Sequence, residues 1–245
     1  MGTSKSYGGL KGHPNWGPLS SAITQAVNDG HPTPKAMSVV MSRLVTHMGG
    51  SQTAASGGSR IGGRAGIRTA QRFGSFLVSV QANGFPAALN LLAGGLNVED
   101  AHQAIYVILE KCSDEAGLLD ENAAKAALRD LLKEIGSDAE SIKELGDNFN
   151  EAIKDYGTEE LIVMYFGFYL FEHLCTDFYE KLIKEKGIRE TEAFYRDLKD
   201  YIQEHIKTIS KHRDLRQVNW NSDYGKGLVQ EILRDTLKEF ENYEG

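Results

Sequence analysis

Residues 97–112, N-V-E-D-A-H-Q-A-I-Y-V-I-L-E-K-C, decide the fold class. Val98, Ala101, Ile105, Ile108, Leu109 and Cys112 fall on one face of a helix and leave the polar residues on the other. Asn97 is the expected N-cap, and Glu99 and Asp100 suit a first turn, where the helix dipole favours acids. Downstream the same period predicts helices over 120–135, 138–156, 158–186, 190–211 and 224–243. The third of these is matched to its dipole at both ends, with Glu159 and Glu160 at the start and Lys181, Lys184 and Lys186 before Gly187.

Upstream the signals are shorter. Leu19, Ile23, Ala26 and Val27 predict a helix over 18–28, stopped by Gly30 and Pro32. Thr33 and Pro34 read as an N-cap and an N1 proline, followed by Met37, Val40, Met41, Leu44, Val45 and Met48 at helical spacing. G-G-S-Q-T-A-A-S-G-G-S, residues 49–59, has the composition of a mobile linker. Helices are expected again over 65–81, carrying Ile67, Phe73, Leu77 and Val80, and over 85–93, between Pro86 and Gly94. Strand alternation and internal repeats are both missing, so the expected fold is an all-α, irregular helical bundle. Residues 1–17, with five glycines and little to bury, are expected to form a flexible N-terminal tail.

At 245 residues the chain is about 1.6 times a typical domain length, enough for one large core or two small ones. The net charge of -7 conceals a division: residues 1–95 carry eight bases and one acid, Asp29, and the rest carry 19 bases and 33 acids. Glycine divides likewise, with 17 of 26 in the first part. The organisation expected is a tail (1–17), a basic Gly-rich helical segment (18–95) and an acidic helical body (96–245). Two cysteines, Cys112 and Cys175, are too few for a disulfide framework or a cysteine zinc site, which suits a reducing, cytoplasmic setting. The most apolar window, 161–174, contains Glu172 and His173 and is shorter than the roughly 20 residues of a membrane span, so it reads as a buried helix.

Motifs that mark enzymes are sparse. No Walker A loop, G-x-G-x-x-G, G-x-S-x-G or H-E-x-x-H occurs. G-G-R-A-G at 62–66 has a superficial likeness to a phosphate loop, yet no strand precedes it, as a dinucleotide turn requires. Glu99 and His102 form a single E-x-x-H pair, a half-site of the kind found on di-iron helices; no second copy exists. Glu172-His173 and Glu204-His205 are adjacent in sequence and would point to different sides of their helices. No cofactor or metal is implied. The paired aromatics of 162–171 read as core.

Arg60, Arg64, Arg68 and Arg72 recur every four residues with no acid between them, which on a helix makes one cationic stripe. Guanidinium groups in such a row suit a phosphate backbone, or the acidic half of this chain or of a partner protein. The tail carries a different chemistry. Removal of Met1 exposes the α-amine of Gly2, whose ordinary pKa of about 8 leaves part of it neutral and nucleophilic near neutral pH. Gly2 and Ser6 also satisfy the short myristoylation pattern.

M-G-T-S-K-S-Y-G-G at 1–9, Trp16, G-G-S-R-I-G-G-R-A-G at 57–66 and C-S-D-E-A-G-L-L-D-E-N-A-A-K-A-A-L at 112–128 together resemble the QatB family. QatB is the small non-enzymatic component of the bacterial Qat antiphage defence system. The resemblance runs over roughly the first 135 residues. It departs from the family at Leu10 and at N-W-G-P-L, 15–19, where a proline-rich continuation is usual. It implies an operon shared with an ATPase, a QueC-like enzyme and a TatD-like nuclease. It further implies that the QueC-like partner attaches a 7-deazaguanine group to the N-terminal glycine, here Gly2. Thr3, Ser4, Lys5, Ser6, Tyr7, Gly8 and Gly9 would then be the recognised strip. The expected function is a non-catalytic component whose tail is modified and whose body docks partner subunits. The alternative is an adaptor that uses the arginine row to present DNA to a partner nuclease.

Overall fold

The computed structural model describes residues 15–28, 32–115, 117–136 and 138–241, and among these it contains ten helices and no strand. They are α1 (Trp16–Asn28), α2 (Pro34–His47), α3 (Ser51–Ala55), α4 (Arg64–Asn83), α5 (Phe85–Ala93), α6 (Ala101–Cys112), α7 (Leu119–Gly136), α8 (Ile142–Lys186), α9 (Ile188–Ile206) and α10 (Asp223–Glu241). The all-α bundle read from the sequence is the fold. Residues 2–9, the proposed acceptor strip, lie outside the described residues.

The centre is α8. Gly157, at φ 75° and ψ 166°, breaks it into two arms, at the place where the sequence pattern separates one helix from the next. The second arm is apolar nearly all round: Leu161, Ile162, Tyr165, Phe166, Tyr169 and Leu170 are all fully buried. Other helices must therefore surround it, and α4, α7, α9 and α10 do. It is the one helix among the described residues long and apolar enough by composition to cross a bilayer, and most of its apolar window is instead covered by the protein. The first arm begins at a capping box, Ser141 with Glu144, and joins α4 and α5 through Phe76, Phe85 and Phe149, whose ring centroids lie 5.0–6.0 Å apart. One apolar core runs from Leu19 to Phe240, through the basic and acidic segments alike.

Three local expectations are corrected. Trp16 and Gly17 belong to α1, not to a flexible tail, and the Trp16 ring stacks on Phe178 at 4.4 Å. The expected linker at 49–59 contains α3, with Ser51, Ala54 and Ala55 buried. Its first turn is held from the far end of the chain: Ser51 N–H donates to Glu241 Oε1 at 3.0 Å, and the Ser51 hydroxyl donates to Oε2. Asn97 does not cap α6. Asp100 does, accepting from Gln103 N–H at 2.8 Å, and Asn97 instead donates to the Glu99 carboxylate. Thr33 caps α2 as expected, accepting from Ala36 N–H at 3.2 Å, with Pro34 at the first helical position.

The connection between α9 and α10 is non-helical but tied down. Arg213 forms an ion pair at 2.7 Å with Glu159, whose side chain is 3% exposed, and a second at 3.1 Å with Glu231. Trp220 is buried against Gly74 of α4, where a Cβ would come within 2.7 Å of the indole.

Along the α7–α8 seam the Glu172 and Asp130 carboxyls hydrogen-bond to each other. Burial pushes Glu172 up to about 7, with the Asp130 charge adding to it and Arg129 opposing. A raised carboxyl pKa in the fold means that ionisation opposes folding. The penalty is therefore absent below the unfolded value of about 4.3, grows above it and is complete above about 7. Glu172→Gln is expected to stabilise the protein at pH 8 and to lose that advantage at pH 4. Urea midpoints at the two pH values check this; an equal effect at both would contradict it.

Candidate functional site

The arginine row and the glycine turn before it form one structural unit at the start of α4. That helix opens at Arg64, so Arg60 lies in the preceding bend and the row is not a single helical stripe. Arg68 and Arg72 converge on Asp114, at 2.6 and 2.9 Å, in the link between α6 and α7. Partial burial would raise the Asp114 pKa, but the hydrogen bonds and charges of both arginines outweigh it and hold the carboxyl below its ordinary value. Half of the basic row thus pairs with the acidic half of the same chain. Arg64 Nε donates to the Gly57 carbonyl at 2.7 Å. Among the described residues neither Arg60 nor Arg64 forms an ion pair, and both are exposed.

Ile61, Gly62 and Gly63 turn through the interior. Gly63 has φ 112°, and a Cβ there would meet the Ala54 carbonyl oxygen at 2.1 Å. A Cβ on Gly62 would lie 2.8 Å from Met48 and 2.9 Å from His173 Nε2. Gly63 admits no side chain, and a Cβ at Gly62 would require Met48 or His173 to shift, because α2, α3 and α8 close around the turn.

The free N–H groups at the start of α4 are met by a carboxylate. Asp120, in the first turn of α7, accepts from Gly63 N–H at 3.3 Å and from Ala65 N–H at 2.8 Å. The Tyr169 hydroxyl donates to Asp120 Oδ1 and accepts from Gly63 N–H at 2.6 Å. His173 Nε2 stands 3.7 Å from the same oxygen, with its ring edge-on to Tyr169. Helix N-termini bind anions, and here the anion is the protein's own. That removes the phosphate-loop likeness of G-G-R-A-G: the position a phosphate would take is filled and buried.

Burial raises the Asp120 pKa, whereas His173, the Ala65 N–H and the Tyr169 hydroxyl together lower it further, so the net shift is downward. Burial also drives the Tyr169 pKa far up, with the Asp120 charge adding to it, which keeps the hydroxyl a donor. Sequence reading placed Asp120 in a helix start and Tyr169 and His173 in a core helix, but not the three together. The one local signal was an acid at the head of α7 and a buried histidine four residues after a tyrosine.

Glu99 lies before α6, bonded to Asn97 and Gln103, so it shares no helix face with the exposed His102. His173 faces Asp120 and Glu172 hydrogen-bonds to Asp130, ten residues further along α7, so the adjacent pair does not converge on one site. Glu204 pairs with Lys207 at 2.7 Å, and His205 Nδ1 lies 2.8 Å from the Tyr201 carbonyl oxygen. Among the described residues no group of three or more His, Cys, Asp or Glu is placed to hold a metal.

Asp120→Asn is expected to cost roughly 2–3 kcal/mol, because an amide NH₂ then faces N–H or O–H donors in a buried site. The lowered carboxyl pKa makes the Asp120 contribution full above the unfolded value of about 4 and lost as pH falls through the lower folded value. Denaturant titration at pH 7 and in acid checks both statements: the difference between wild type and variant shrinks in acid. Equal stability at pH 7 would contradict the role given to Asp120.

No curated protein and no solved structure matches the chain. Residues 49–240 match the model of one family, described as Qat anti-phage system associated protein QatB. The matched span starts at the Gly49-Gly50 turn and takes in the glycine turn, the arginine row, Asp114, Asp120, Tyr169 and His173. It covers well over half of the sequence, and the chain belongs to the QatB family of proteins associated with the Qat anti-phage system.

Proposed function

We propose that this component of the anti-phage system is non-catalytic and works as an acceptor and scaffold in the cytoplasm. In this reading Gly2 is covalently modified with a 7-deazaguanine-type group by a QueC-like partner. Thr3 through Gly9 form the strip that partner recognises, and the helical body docks the ATPase and the TatD-like nuclease of the same operon. The observation that carries it is the family match. That match begins at residue 49, so the acceptor assignment rests on the strip itself. G-T-S-K-S-Y-G-G has no acid, no side chain at Gly2, and an α-amine of pKa about 8 once Met1 is removed. Intact-mass measurement with fragmentation of the N-terminal peptide tests it, on protein made alone and beside the neighbouring genes. A neighbour-dependent mass increase localised to Gly2 is expected. An unmodified Gly2 in the presence of all active neighbours would overturn the reading.

A second reading is favoured by one observation, the two exposed arginines without an acidic partner among the described residues. In it Arg60 and Arg64 contact the DNA backbone, and Arg68 and Arg72 are held back by Asp114. Duplex affinity should then fall steeply with salt, the slope should drop by about one for each of Arg60 and Arg64 changed to Ala, and Asp114→Asn should strengthen binding. Fluorescence anisotropy over a salt series checks this. Absence of binding at low salt would remove the reading.

A further inference from the structure

A cleft of about 310 Å³ opens between α7, the end of α6 and the second arm of α8. Asn122, Lys125, Ala126 and Arg129 line it from α7, where spacings of three and four put them on one helix face. Leu109 of α6 and Thr176 of α8 complete the lining. Donors dominate it: an ammonium, a guanidinium, an amide and a hydroxyl. The two cations are held differently. Lys125 Nζ donates to Glu110 at 2.6 Å, where α6 meets the cleft. Arg129 is looser: its Nε lies 3.6 Å from Asp130, beyond hydrogen-bond reach, and its side chain is 51% exposed. Asp130 is engaged by Glu172 instead. Among the described residues the Asn122 and Thr176 side chains make no hydrogen bond.

We propose that this cleft binds a phosphate group, free or carried by a small ligand, through Arg129 and Lys125 with Asn122 and Thr176 as neutral donors. Residues four apart on a helix have Cβ atoms about 6 Å apart, so one phosphate can meet both cations. The terminal N–H groups of Arg129 form a planar fork that matches two phosphate oxygens, and Lys125 adds a point charge beside them. Glu110 is the internal competitor: its carboxylate holds Lys125 in place and yields part of it when a phosphate arrives. The volume stands at the lower end of the range for small-molecule pockets, about 300–1,000 Å³, which leaves room for a compact body against Leu109 and Ala126. Neither Gly2 nor the arginine row of α4 takes part, so the site stands apart from both readings of the function.

NMR titration of the isotope-labelled full-length protein tests the proposal, with inorganic phosphate and adenosine monophosphate as separate probes in a phosphate-free buffer. Saturable shifts of the Asn122 side-chain amide and of the Arg129 Nε–H are expected with both. Tighter binding of the nucleotide would mean that the phosphate arrives on a small ligand, and equal binding that free phosphate fills the cleft. Arg129→Ala should weaken binding about tenfold or more, since it removes charge-assisted hydrogen bonds. Glu110→Gln should strengthen it severalfold by freeing Lys125. Both side chains lie at the surface, so the variants keep the fold. No saturable shift at these groups, the same shifts with adenosine alone, shifts spread evenly over the exposed arginines, or an affinity indifferent to Arg129→Ala would each overturn it.

Discussion

The Asp120 carboxylate is the joint on which the interior depends. It belongs to α7, it satisfies the start of α4, and it is braced by Tyr169 and His173 of α8. An unpaired carboxylate in this position would be expensive to bury, and so would the orphaned N–H groups of a 20-residue helix. Each cancels the other's cost. The glycine turn is a consequence of this arrangement, since the chain must pass beneath Ala54 and beside His173 to deliver the Gly63 and Ala65 N–H groups to one carboxylate. The arginine row then starts from a fixed point, and its spacing carries Arg68 and Arg72 to Asp114.

The charge division seen in the sequence acquires a spatial meaning. Basic and acidic segments share one core, and part of their opposite charge is neutralised between them at Asp114. What is left over stands on different surfaces, with Arg60 and Arg64 near the start of α4 and Glu151 and Asp155 on the first arm of α8. A protein with residual charges of both signs presents two distinct electrostatic faces to its surroundings.

How much was legible in the sequence follows the range of the interaction concerned. Thr33-Pro34 and the break at Gly157 are local signals and were read correctly, because cap chemistry and positive φ are properties of a few residues. Asn97 was misread since two acids in sequence, Glu99 and Asp100, can each start a helix, and Val98 packs on the core before the helix begins. The 49–59 segment was misread for a stronger reason. Nothing within it forecasts order; Glu241, 190 positions away, supplies the cap. The Asp120 cluster was invisible for the same reason, since its members are 49 to 106 residues apart from their hydrogen-bond partners.

The Ser51–Glu241 contact also sets a timetable. A ribosome adds about 5–20 residues per second, so α3 waits roughly 10–40 s between its own synthesis and that of the residue that caps it. Throughout that interval the glycine-rich ground beneath the arginine row is unfinished, and α2 lacks the helix that packs across it. A copy cut short before Glu241 would leave the ribosome without the carboxylate that caps α3.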